Sequence, residues 1–133
     1  MGEDGWQPPR LRESAPVVIP EEATVLTQPK NGYTQVRYRW AEESGERMEA
    51  RWHTRTPGAP EEQGNTWVVT KRTPGNAQGL MSQSSVKTGA SEWTSERVWQ
   101  EAVQAHQEGA ATPSQQSLLE RGHWKAPAWP GGE

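Results

Sequence analysis

The sequence predicts an α+β domain: a small antiparallel sheet of three to four strands, followed by two C-terminal helices packed on one of its faces. Two observations carry this. Between residues 33 and 72 apolar and polar side chains alternate with a period of two, the pattern of half-buried strands. After residue 94 the period becomes helical, twice, with N-cap chemistry at each start. One sheet face must be covered, and an amphipathic helical pair is the available cover.

The chain has 133 residues, enough for one domain. Only 31% of them are hydrophobic, and Gly and Pro number 13 and 11. These figures point to a loop-rich protein with partly disordered ends. Eight tryptophans and no phenylalanine argue against disorder of the whole chain, because each indole can bury roughly 150–250 Å². A core of few but large side chains follows.

Residues 1–30 form a proline-rich linker or arm, in which Pro interrupts both helices and strand ladders. "APVVIP" and "ATVLT" within it suit extended packing or short edge strands. Asn31-Gly32 marks a turn. In "YTQVRYRW" Thr34, Val36, Tyr38 and Trp40 share one face, and Arg37 and Arg39 lie on the other. "AEESGE" suits a hairpin connection. In "RMEARWHTR" Met48, Ala50 and Trp52 share a face; Arg47, Glu49, Arg51, His53 and Arg55 oppose them. In "TWVVTKR" Trp67 and Val69 continue the apolar face, leaving Val68, Thr70 and Arg72 opposite. A fourth strand fits residues 80–88. Thr94 is the expected N-cap of the first helix, whose stripe holds Val98, Trp99, Ala102, Val103 and His106, with Gly109 as its stop. The second helix has Thr112 as N-cap, Pro113 in its first turn, Gln115 completing a capping box and Gly122 as the C′ glycine. The domain thus spans residues 31–126, and residues 127–133 are a flexible tail.

Several function classes are excluded at this stage. Without cysteine there is no disulfide framework and no thiolate metal site. The three histidines are 53 and 17 residues apart, with no HExxH and no acidic calcium loop, so neither metal nor organic cofactor is expected. No Walker loop, nucleophile elbow or dinucleotide fingerprint occurs. No apolar run approaches the ~20 residues of a membrane-spanning helix, and the polar, acidic N-terminus is not a signal peptide. Net charge is −3, but residues 30–72 carry eight basic and six acidic groups and are net positive. That mildly basic middle suits an anionic ligand.

The polar sheet face is the candidate site. Pairing the first two strands brings Arg37 and Arg39 beside Arg51, His53 and Arg55, and the third strand adds Thr70 and Arg72. Guanidinium forks bind phosphate bidentately, and imidazole shuttles protons near neutral pH. RNA supplies its own nucleophile, the 2′-hydroxyl. A metal-independent ribonuclease follows: His53 as general base or acid, Arg51 and Arg55 on the scissile phosphate, Thr70 as an auxiliary donor, and Arg37, Arg39 and Arg72 binding substrate. The same alternation also fits a solvated surface with cross-strand ion pairs such as Glu49 with an arginine. His106 reads as a core or boundary residue and His123 as a cap on helix-end carbonyls. Either becomes a second catalytic imidazole if the C-terminal segment folds over the sheet. Trp40, Trp52, Trp67 and Trp99 read as core. Trp6, Trp124 and Trp129 either pack back on the domain or anchor a partner protein.

The run "YRW…RWHTRTPGAPEEQGNTWVVTKRTPG" with "EWTSERVWQEAVQAHQEGAATPSQQSLLERGHW" resembles the C-terminal variable modules of bacterial polymorphic toxins, of the Rhs and contact-dependent inhibition kinds. The resemblance spans about residues 31–126 and is one of general pattern. It implies a small effector, often a nuclease, secreted as part of a larger parent chain upstream and acting in the cytoplasm of a rival cell. It also implies a cognate immunity protein, with the proline-rich start as the junction to the parent. The competing expectation is a non-enzymatic binding module in the cytoplasm, such as an immunity or adaptor protein, or a structural component of a phage or secretion apparatus.

Overall fold

Alternation in the central third builds three long strands, and the residues on either side extend and cover them. The computed structural model describes residues 9–54, 64–75, 78–79 and 81–126. A short helix α1 (Pro9–Glu13) leads into β1 (Thr24–Lys30), β2 (Tyr33–Ala41), β3 (Arg47–His53), β4 (Thr66–Thr73), β5 (Gln83–Lys87) and β6 (Trp93–Ser95). Two helices follow, α2 (Glu96–Gln107) and α3 (Pro113–Gly122), and then β7 (Trp124–Lys125). The first six strands form an antiparallel meander in chain order, and β7 pairs with β4.

The sheet is larger than the expected three to four strands. The three added pieces are β1 from the proline-rich arm and the very short β6 and β7. A strand of two or three residues holds too little alternation to be read as one. β1 contains Pro29, which is tolerated because β1 lies at the edge of the sheet. It returns to β2 through Asn31 and Gly32 alone. Gly32 takes φ 86° there, a left-handed conformation that glycine adopts without steric cost.

Both sheet faces are buried, by different partners. Val36, Tyr38, Trp40, Met48, Ala50, Trp52, Trp67 and Val69 form the first core. Its cover is not the helical pair but the arm: Leu11, Ile19 and Ala23 join this cluster. The Trp67 indole N–H donates to the Ser14 hydroxyl at 2.9 Å, and the Arg12 guanidinium lies 5.2 Å over the Tyr38 ring. Residues 9–30 are thus part of the folded unit as far as they are described. Val68 and Val86, on the opposite face, meet Trp99, Ala102, Leu118 and Leu119 of α2 and α3 in a second core.

The N-cap of α2 is Ser95, one residue after the expected Thr94; its hydroxyl accepts from the Val98 N–H. Thr94 instead lies in β6, its hydroxyl 2.9 Å from that of Thr88. The α3 capping box forms as expected between Thr112 and Gln115. Gly122 is not a left-handed terminator. It is the last residue of α3, and a β-carbon there would stand 2.3 Å from Cζ3 of Trp99. Close approach of α2, not backbone conformation, is what calls for glycine. His106 and Val98, expected on the inward stripe of α2, are exposed. Trp124 packs back on the domain: its indole donates to the Lys87 carbonyl at 3.1 Å. Trp6, Trp129 and the tail lie outside the described residues.

Candidate active site on the helix-covered sheet face

β3 directs Arg47, Glu49, Arg51 and His53 to the face on which α2 and α3 sit. The register sets His53 between Gln35 and Thr66, and Arg51 between Arg37 and Val68. The helices cover the β4–β5 part of that face. His123, the C-cap of α3, is carried to the boundary of this cover, and its ring centroid lies 6.3 Å from that of His53. Tyr33 approaches His53 edge-on at 6.2 Å, and Trp99 backs His123 at 5.2 Å. Two imidazoles seventy residues apart in the chain thus meet beside Arg51.

Each imidazole is oriented by a backbone carbonyl. His123 Nδ1 is 2.7 Å from the Leu119 carbonyl, and His53 Nδ1 is 3.4 Å from that of Thr54. A carbonyl only accepts, so the short contact gives His123 the Nδ1–H tautomer, and the longer one in His53 favours the same form less strongly. Burial is the main reason that both pKa values fall. His53, 8% exposed, is lowered to about 4 by desolvation and then by the Arg51 charge. His123 is lowered by desolvation, with Arg51 and His106 adding to the effect. Both rings are neutral at pH 7.

The arginines differ in how they are satisfied. Glu49 is shared: Arg39 Nε meets it at 3.0 Å and Arg51 at 3.6 Å. The cross-strand ion pair anticipated for Glu49 is therefore present. Arg37, directly opposite Arg51, has no carboxylate partner among the described residues; its terminal nitrogen donates to Gln28 Oε1 at 2.6 Å. Its buried Nε meets no partner among the described residues, and neither does the buried hydroxyl of Thr66 beside His53. Like charges placed opposite each other across strands destabilise the pair, and unsatisfied buried donors cost roughly 1–3 kcal/mol each.

Of the expected site residues, His53, Arg51 and Arg37 are brought together, and Arg39 is tied to them through Glu49. Thr70 and Arg72 are not beside His53. They lie four and six residues along β4 from its partner Thr66, about 13 and 20 Å at ~3.3 Å per residue. They line a separate groove of about 530 Å³ together with Arg39, Arg47 and Ser84. Arg55 lies outside the described residues. Sequence reading passed over Thr66 and Gln35, which the register sets against His53; alternation marked their face but not their neighbour. Among the described residues, no cluster of three or more His, Cys, Asp or Glu side chains has the arrangement of a metal site. No described helix is long and apolar enough to cross a membrane. Comparison with protein-family models, with curated proteins and with solved structures gives no match for this chain.

Proposed function

We propose that this domain is a ribonuclease that cleaves RNA phosphodiesters without a metal. The observation that carries this is the meeting of two buried, neutral imidazoles with Arg51 close enough to act on both. His53, with the lower pKa, is the base that takes the proton from the 2′-hydroxyl. The 2′-oxygen attacks phosphorus and forms a cyclic phosphate, while the bond to the 5′-oxygen breaks. His123, protonated at Nε2, gives its proton to that leaving oxygen. Arg51 and Arg37 hold the non-bridging oxygens, on which charge accumulates in the transition state. A bound phosphodiester also offsets the Arg51 charge that disfavours both imidazolium forms, so substrate itself raises the acid's pKa.

The test is cleavage of a defined oligoribonucleotide in EDTA by wild type, His53→Ala and His123→Ala. Loss of one general acid–base group is expected to lower the rate about 10²–10⁴-fold; equal activity in all three removes the assignment. The setting implied by the resemblance to polymorphic toxins is delivery on a larger secreted chain, with an immunity protein as partner; growth arrest with RNA degradation on expression in a naive host is its expected outcome. The second reading, a non-enzymatic binding module, draws on the burial of His53. RNA or protein binding without cleavage, and without toxicity, selects it.

A further inference from the structure

We infer that the RNA substrate is a single strand that runs along β3, and that its far end is held at a second phosphate subsite built by Arg47 and Arg72. This rests on the ribonuclease reading for its starting point, the scissile phosphate at Arg51. Arg47 and Arg72 are direct cross-strand partners on the same sheet face as His53 and Arg51. Both are exposed, and neither has an ion pair among the described residues. Two open grooves meet at this pair: the one of about 530 Å³ that continues toward Arg39 and Thr70, and one of about 390 Å³ bounded by Pro74, Gly75 and Ser82.

The charges along the path are ordered. The Arg37–Arg51 pair stands at one end. Glu49 follows, held by Arg39 and Arg51. The Arg47–Arg72 pair stands at the other end. Glu96, which also borders the larger groove, sits in the first turn of α2, where the helix dipole favours its charge. Two cross-strand arginines without an ion pair among the described residues suit an anion, and with the Arg37–Arg51 pair further along the same strand face they form a ruler. Arg51 and Arg47 are four residues apart, about 13 Å at ~3.3 Å per residue. That is the reach of several nucleotides, more than the two internal phosphates of a trinucleotide can span. A paired strand is excluded by the chemistry, because in-line attack by the 2′-hydroxyl needs a backbone free to rotate out of the A-form helix.

The experiment is fluorescence anisotropy with 2′-O-methyl oligonucleotides, which cannot be cleaved, of three and twelve nucleotides. Wild type is compared with the Arg47→Ala/Arg72→Ala double variant over a range of salt. The expected result is a loss of about tenfold or more in affinity for the twelve-mer at low salt. Its salt slope should become shallower by about 1.4, two contacts at ~0.7 each, and the three-mer should be unaffected. Coincident thermal unfolding of the two proteins checks that the fold is kept. Equal weakening on both lengths, no weakening on either, or no binding of the twelve-mer by wild type overturns the path. Binding as expected with no cleavage of unmodified RNA refutes the ribonuclease reading and leaves the path standing. Cleavage with unaltered twelve-mer binding in the variant refutes the path alone.

Discussion

Replacing Gly122 by alanine tests the joint on which the two histidines depend. The added methyl would stand 2.3 and 2.5 Å from Cζ3 and Cη2 of Trp99, where optimal carbon contacts are ~3.5–4.0 Å. Something must move by more than an ångström. Trp99 is 4% exposed and packs among Val68, Val86 and Leu118, so its ring has no free direction in which to retreat. Overpacking of this kind costs about 1–3 kcal/mol. Against it stands the gain of alanine over glycine in a helix, at most about 1 kcal/mol and less at the last position of α3. The clash wins, with a net loss of about 1–2 kcal/mol. For a domain of this size that lowers Tm by roughly 3–8 °C, read by calorimetry or circular dichroism. α3 must tilt away from α2 to relieve the contact, and it carries His123 with it, so RNA cleavage should fall more than stability does. A Gly122→Ala protein as stable as wild type would refute the reasoning. In a Trp99→Phe background, where the ring ends sooner, the alanine should cost less.

Other predictions concern acid, the arm and the acidic hub. Both site histidines have folded pKa values below the unfolded ~6.5, so their stabilising effect is complete above pH 6.5 and is lost as pH falls below it, for His53 down to about 4. For His53 alone the loss is about 3 kcal/mol by pH 4; urea unfolding from pH 7 to 4 should show it, and His53→Gln should flatten the curve. The kcat/KM profile of the free enzyme should peak on the acid side of pH 6.5, and a maximum above pH 8 would contradict the two-imidazole assignment. Leu11→Ala should destabilise the domain by about 2–5 kcal/mol, whereas a change below 1 kcal/mol would mean that the arm does not cover the tryptophan face. Glu49→Gln releases Arg39 and Arg51 from their shared carboxylate. Stability should change by less than about 1 kcal/mol and oligonucleotide affinity at low salt should rise; an unchanged affinity would mean that these guanidiniums do not meet RNA.

The central sheet was legible because the physics of a strand is written in neighbouring residues. Trp52 and Trp67 alternate with Arg51 and Val68, and a period of two is enough to assign their faces. The Thr112–Gln115 cap was legible for the same reason, since a capping box is closed within four residues. What covers each face is a different kind of fact. Val68, alone between two core residues of β4, reads as a break in the pattern when taken by itself. It is in truth the seat of the helices, and the tryptophan face is left to Leu11, Ile19 and Ala23. Such long-range choices are made by total buried area, which no local window contains. Pro16, Pro20 and Pro29 make the arm look like a linker, yet proline is no obstacle to extended packing, and in β1 it costs nothing at an edge.

The site divides along the same line. Arg37, Arg51 and His53 sit within one hairpin, so their proximity follows from its register alone. His123 belongs there only because α3 ends against Trp99, and Gly122 lets it come that close. From sequence alone Gly122 reads as a helix stop, which explains the residue without requiring any neighbour. Its actual neighbour is what decides the chemistry: with a bulkier residue the cap would still form, but the second imidazole would be displaced from the first. Burial lowers the pKa of both His53 and His123, and for His123 the Trp99 ring is part of that surrounding. Packing that assembles the pair therefore also disfavours its charge.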